Sequence, residues 1–123
     1  MALFGKIFKE PKPVSQFNWN ILNEESQLEN ILISSNTKTI VIFKHSTRCG
    51  ISRGVLRQFE SENKSKIDKI EFYYLDLLKF RNISNAIADK LNVFHQSPQL
   101  IVLKSRKVVA NASHYDILSV DLN

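Results

Sequence analysis

Cys49 is the sole cysteine among 123 residues, and the residues around it suit a thiol that reacts. It follows the apolar, β-branched run Thr39-Ile40-Val41-Ile42-Phe43 and the polar segment Lys44-His45-Ser46-Thr47-Arg48. It precedes Ile51, Val55, Leu56 and Phe59, which recur at helical spacing. A cysteine at the junction of strand, loop and helix sits at the positive end of the helix dipole. It also lies beside backbone N–H groups that have no partner within the helix. Both favour the thiolate, the form that attacks disulfides. With no second thiol in the chain, an internal disulfide is excluded. The position that completes a C-x-x-C pair is Ser52. Exchange at Cys49 is therefore monothiol, and the resolving thiol arrives from outside.

The histidines offer other chemistry. His45, His95 and His114 are each candidates for the base of a Cys–His pair. The competing expectation for each is a loop or surface histidine in a structural hydrogen bond, and it is preferred for His45. A loop separates His45 from Cys49, and no carboxylate cluster lies nearby, so no zinc site is expected. Lys44, Arg53 and Arg57 read as solvated surface cations.

The elements that position Cys49 alternate along the chain. Phe17 to Ile21 reads as a short strand. Asn23 to Ile33 reads as a helix capped by Asn23, with Glu24 and Glu25 in its first turn and Leu28, Ile31 and Leu32 on its apolar face. Thr39 to Phe43 has the continuous apolar character of a strand buried on both faces. Gly50 to Glu62 is the helix after the thiol. Ile70 to Leu75 is a strand, and Ile83, Ala86, Ile87 and Leu91 mark a helix capped by Asn82. Leu100 to Leu103 and Val108 to Ala112 form a hairpin turning at Ser105-Arg106, and a helix over Tyr115 to Leu122 closes the chain. Strands joined through helices pair in parallel, and the hairpin adds an antiparallel edge. The expected class is α/β, a mixed central β-sheet flanked by helices on both faces. Cys49 then lies at the carboxyl end of a central strand, where open α/β sheets place ligands.

Composition sets limits. The 14.2 kDa chain, 43% hydrophobic and 24% charged, matches one globular domain. No apolar run approaches the ~20 residues that span a bilayer. The net charge is +5 and the pI near 9.4. The cations are scattered and most aromatic residues fall in apolar runs, so the charge reads as attraction for acidic partners and no nucleic-acid binding is expected. Residues 1–13, with Leu3, Phe4, Ile7 and Phe8 beside Pro11 and Pro13, read as an N-terminal extension to a domain spanning 14–123. Their apolar stretch is too short for a signal-peptide core. A lone cysteine suits a reducing, cytoplasmic setting.

Pro98 stands at the entrance of the Gln99–Leu103 strand, where either isomer of the preceding bond is compatible with the sequence. A thiol at a strand-to-helix junction, followed far downstream by Ser97-Pro98 before a hairpin, resembles the thioredoxin fold. Three blocks sharpen the resemblance: Phe43 to Ser52, His95-Gln96-Ser97-Pro98-Gln99, and Ala112 to Ile117. Together they resemble the monothiol bacilliredoxins of the YtxJ type. The departure lies in the first block, where the family usually reads Thr-Cys-Pro-Ile-Ser and this chain reads Arg48-Cys49-Gly50-Ile51-Ser52.

The resemblance implies a cis Ser97-Pro98 bond facing Cys49, with the Ser97 backbone free to pair with a bound ligand. It implies Cys49 as the nucleophile, and Ser52 as a hydroxyl donor to the thiolate. Arg48, Gly50, Ser97, Pro98 and His114 would contact the substrate. It implies no tightly bound cofactor. The small anionic thiol bacillithiol would be the co-substrate, and S-thiolated client proteins the partners. Cys49-Gly50-Ile51-Ser52 is also similar to the Cys-Gly-Phe-Ser of monothiol glutaredoxins, which implies an iron–sulfur carrier instead. The Gly-Gly turn of those proteins is missing, and Ser113-His114 stands near its place. A thioredoxin-like binding module without turnover is the third reading.

Overall fold

Thr39–His45 becomes the central strand because both of its faces find a core. In the computed structural model, which describes residues 17–123, Val41 and Phe43 pack on one side with Val55, Leu56 and Phe59. Ile40 and Ile42 pack on the other with Leu28, Ile31, Ile83 and Ile87. A strand that feeds two cores needs apolar residues at successive positions, which is the run seen in the sequence. The proposed extension, residues 1–13, lies outside the described residues.

In chain order the elements are β1 (Asn20–Ile21), α1 (Gln27–Ser34), β2 (Thr39–His45), α2 (Gly50–Asn63) and a 3-10 turn at Lys64–Lys66. There follow β3 (Ile70–Asp76), α3 (Arg81–Leu91), β4 (Gln99–Lys104), β5 (Lys107–Ser113) and a 3-10 helix at His114–Ser119. The five-stranded sheet has the order β1-β3-β2-β4-β5. β1 and β2 run parallel to β3, while β4 is antiparallel to both β2 and β5. Helix α2 covers one face of the sheet, and α1 with α3 covers the other. The mixed α/β sheet expected from the sequence is therefore present.

Several boundaries differ, each for a local reason. The first strand shortens to Asn20–Ile21. Helix α1 starts at Gln27 with Ser26 at its cap, not at Asn23. The Gln27 side chain folds back to accept the N–H groups of Asn23 and Glu24, both at 2.8 Å, and donates to the Ile21 carbonyl at 3.0 Å. This holds residues 22–26 as a turn. Asn82 is not a cap, because α3 begins one residue earlier. Asp76 accepts the N–H groups of Leu78 and Lys79, and Phe80 takes the cap position. The closing element is a 3-10 helix, not a helix over Tyr115–Leu122.

The β4–β5 hairpin turns at Ser105 and Arg106, both at positive φ (52° and 64°), as a two-residue primed turn requires. Neither residue is glycine, and Ser35 compensates. Its carbonyl and hydroxyl oxygens accept the two turn N–H groups, each at 2.7 Å.

The change that matters most for the site is in β2. Lys44 and His45, expected in the loop, are the last two residues of the strand, and both are buried.

Candidate active site

Cys49 is the cap residue of α2, in extended conformation (φ −104°, ψ 121°). Its N–H donates to the Ser46 carbonyl at 3.2 Å, and its own carbonyl accepts the Arg53 N–H at 3.1 Å. Cys49 is half-buried and its thiol is free. The side chain makes no capping hydrogen bond to the first N–H groups of α2. Arg48 and Gly50 flank it on the surface. The Arg53 guanidinium folds back and donates to the Thr47 carbonyl at 3.3 Å, which brings a second cation to this loop.

Lys44 pairs with Gln99 in the β2–β4 register. That places Ser97-Pro98 at the same end of the sheet as Cys49, one step along the neighbouring strand. The Ser97-Pro98 bond is cis, as the resemblance implies. Pro98 is buried and Ser97 half-buried. His114, at positive φ (55°), donates its backbone N–H to the Pro98 carbonyl at 3.2 Å. Its side chain is exposed. The three sequence blocks thus meet at the carboxyl end of β2.

Ser52 departs from its expected role. It is fully buried. Its oxygen accepts the Ser46 N–H at 3.0 Å, and a hydrogen bond of 2.7 Å joins its hydroxyl to His45 Nδ1. Its observed partners are therefore His45 and Ser46, not the sulfur. His45 makes the expected hydrogen bond, but from a buried strand position and not from a loop or the surface. Burial lowers the His45 pKa below the usual range, Asp76 acts in the opposite sense, and Arg53 lowers it further.

Lys44, expected as a solvated surface cation, is buried instead. It has no exposed surface, and its Nζ lies 2.8 Å from His95 Nδ1. The Ser84 hydroxyl reaches the same nitrogen at 3.3 Å. Burial, aided by the Arg81 charge, pushes the Lys44 pKa down to about 8. The His95 ring is lowered as well, first by desolvation and then by Lys44 and Arg81. The available signal was strand alternation: Ile40, Ile42 and Lys44 share one face, while Val41, Phe43 and His45 share the other. Polar residues that continue such a pattern are buried with partners.

A thiol at a strand–helix junction, with a cis-proline at the same end of a mixed five-stranded sheet, defines a thioredoxin-fold redox protein. The solved structures agree. The chain resembles a thioredoxin-fold protein proposed to be an oxidoreductase, with 32% identity over 79% of this chain and 83% of that one, and a TM-score of 0.70. It also matches Fasciola hepatica thioredoxin (21% identity, 81% and 90% coverage, TM-score 0.65). Arabidopsis thaliana thioredoxin O2 matches at 21% identity, with 85% and 90% coverage and a TM-score of 0.67. These last two bear on the fold alone. The profile of the family described as monothiol bacilliredoxin BrxC matches residues 20–122, and the chain belongs to that family. Its chemistry is thiol redox chemistry. No helix among the described residues is long and apolar enough to cross a membrane.

Proposed function

We propose that the protein is a monothiol thiol–disulfide oxidoreductase that removes a small thiol, bacillithiol, from mixed disulfides on client proteins. The observation that carries this reading is Cys49 at the start of α2, at the same end of the sheet as the cis Ser97-Pro98 bond at the mouth of β4. The family match supports the small thiol's identity.

In the first step the Cys49 thiolate attacks the bacillithiol sulfur of the mixed disulfide. A bond forms between that sulfur and Cys49, the bond to the client sulfur breaks, and the client leaves as a thiolate that takes a proton from water. In the second step a free bacillithiol thiolate attacks the sulfur already carried by Cys49. The products are bacillithiol disulfide and the Cys49 thiolate. One disulfide replaces another: the client sulfur is reduced to a thiol, the incoming small thiol is oxidised to the disulfide level in its place, and the proton it gives up balances the one the client takes.

Cys49 is the nucleophile in this reading. Arg48 supplies a cation next to it, Gly50 an approachable backbone, and Ser97 a main chain for the ligand to pair with. Pro98 and the His114 backbone hold that main chain in place. Ser52 acts through the loop it braces. The match across all three blocks favours exchange over an iron–sulfur carrier or a silent binding module.

A purified protein carrying bacillithiol on one cysteine provides the test. The wild type is expected to release the client thiol and to gain an adduct of bacillithiol mass on Cys49. Cys49→Ser is expected to do neither while keeping its fold. Transfer by the Cys49→Ser variant at the wild-type rate would refute the assignment.

A further inference from the structure

We propose that Gln99 is a positioning residue for the exchange reaction: with Lys44 beside it, it holds the main chain of Phe94 to Gln96 so that Ser97 meets the mixed disulfide in one conformation. The inference rests on the exchange reading above and deepens it.

The segment that leads to the cis bond has no main-chain support of its own. Val93 donates its N–H to the Ala88 carbonyl at 3.2 Å. After it, none of Phe94, His95, Gln96 and Ser97 bonds to another main-chain group among the described residues. Left to its backbone alone, such a connection samples many conformations.

Two buried side chains hold it instead. Gln99 pairs with Lys44 in the β2–β4 register, and neither has any exposed surface. Gln99 Nε2 donates to the Phe94 carbonyl at 2.9 Å, and its Oε1 accepts the Gln96 N–H at 3.3 Å. One carboxamide thus bonds the main chain on both sides of His95, as the peptide of an adjoining strand would. Lys44 Nζ lies 2.8 Å from Nδ1 of His95 itself.

The core does not call for these polar groups. Ile40 and Ile42, which precede Lys44 on its strand, and Ile101 and Leu103, which follow Gln99 on its own, belong to one apolar cluster. Apolar side chains would continue that cluster, whereas a buried amide or amine is costly unless it is hydrogen-bonded. The side-chain partners of both Lys44 and Gln99 lie between Phe94 and Gln96.

Ser97 stands between this hold and a second one, the bond from the His114 N–H to the Pro98 carbonyl at 3.2 Å. Its own N–H and carbonyl bond to no other group among the described residues. A main chain clamped on either side and left unpaired in the middle is ordered before the substrate arrives. Binding and reaction then lose less freedom.

The test is single-turnover transfer from a decapeptide whose one cysteine carries bacillithiol. It is run beside alkylation of Cys49 by iodoacetamide, which needs no partner at Ser97. Gln99→Met keeps an unbranched side chain and removes both bonds. It is expected to lower the limiting rate of transfer about tenfold, to leave the alkylation rate at the wild-type value, and to speed hydrogen exchange at the Gln96 amide. Lys44→Met is expected to slow transfer in the same way, again without changing alkylation, and it decides the matter if Gln99→Met does not fold. Ser35→Ala is the comparison for stability alone, because Ser35 braces the hairpin turn at the opposite end of the sheet. It is expected to be less stable than the wild type and to transfer as fast. Wild-type transfer by Gln99→Met (or by Lys44→Met in its stead), an equal fall in transfer and alkylation, an unchanged Gln96 amide in Gln99→Met, or the same fall in Ser35→Ala overturns the proposal and leaves the exchange reading standing. A wild type that takes no bacillithiol from the peptide overturns both.

Discussion

The Ser52 hydroxyl lies 2.7 Å from His45 Nδ1, beneath the first turn of the helix that Cys49 caps. In a dithiol protein this position carries the second sulfur. Here it carries a hydroxyl that ties the end of β2 to the start of α2 and accepts the N–H of Ser46 between them. The monothiol motif has exchanged a resolving group for a brace.

Ser52→Ala removes that brace and leaves a buried imidazole nitrogen and a buried N–H without their partner. The expected loss of stability is about 1–3 kcal/mol, read from urea unfolding. Exchange at saturating substrate is expected to fall less than it does in Cys49→Ser. A variant as stable as the wild type would show that the hydroxyl holds nothing.

Two buried bases give the stability profile opposite ends. The folded state lowers the His45 pKa through burial, so the unfolded chain binds more protons as pH falls below about 6.5, and stability decreases there. Lys44 is lowered from 10.5 to about 8, so between those values the unfolded chain again holds more protons and stability rises with pH. Lys44→Met keeps the apolar stem and is expected to flatten the alkaline rise; it also relieves part of the lowering at His95, so the acid limb softens but persists through His45. Denaturant midpoints measured from pH 5 to 10.5 separate the two, and an alkaline rise that persists in Lys44→Met would contradict this account.

Gly54 sits inside α2, where an added Cβ would meet no atom within 4 Å, and its φ is not positive. Neither packing nor backbone geometry calls for glycine. Gly54→Ala is expected to stabilise the protein by about 1 kcal/mol, because alanine forms helix more readily. A lower melting temperature for Gly54→Ala would contradict the open space around it.

The order of elements, the mixed sheet and the position of the thiol were all legible in the chain. Each depends on local periodicity: two-faced apolar runs at Thr39–Phe43 and Leu100–Leu103, and helical spacing from Ile51 and from Ile83. Tertiary structure decided what the polar residues at the strand ends do. Lys44 and His45 look like loop residues because burial of a polar group depends on a partner, and their partners lie 51 and 7 positions away. The isomer at Ser97-Pro98 was open in the residues themselves, since both forms suit a strand entrance. The exposure of Phe94 was equally unreadable. Val93 packs against the core while Phe94 beside it stays in solvent, a difference that no local pattern in Asn92-Val93-Phe94-His95 encodes.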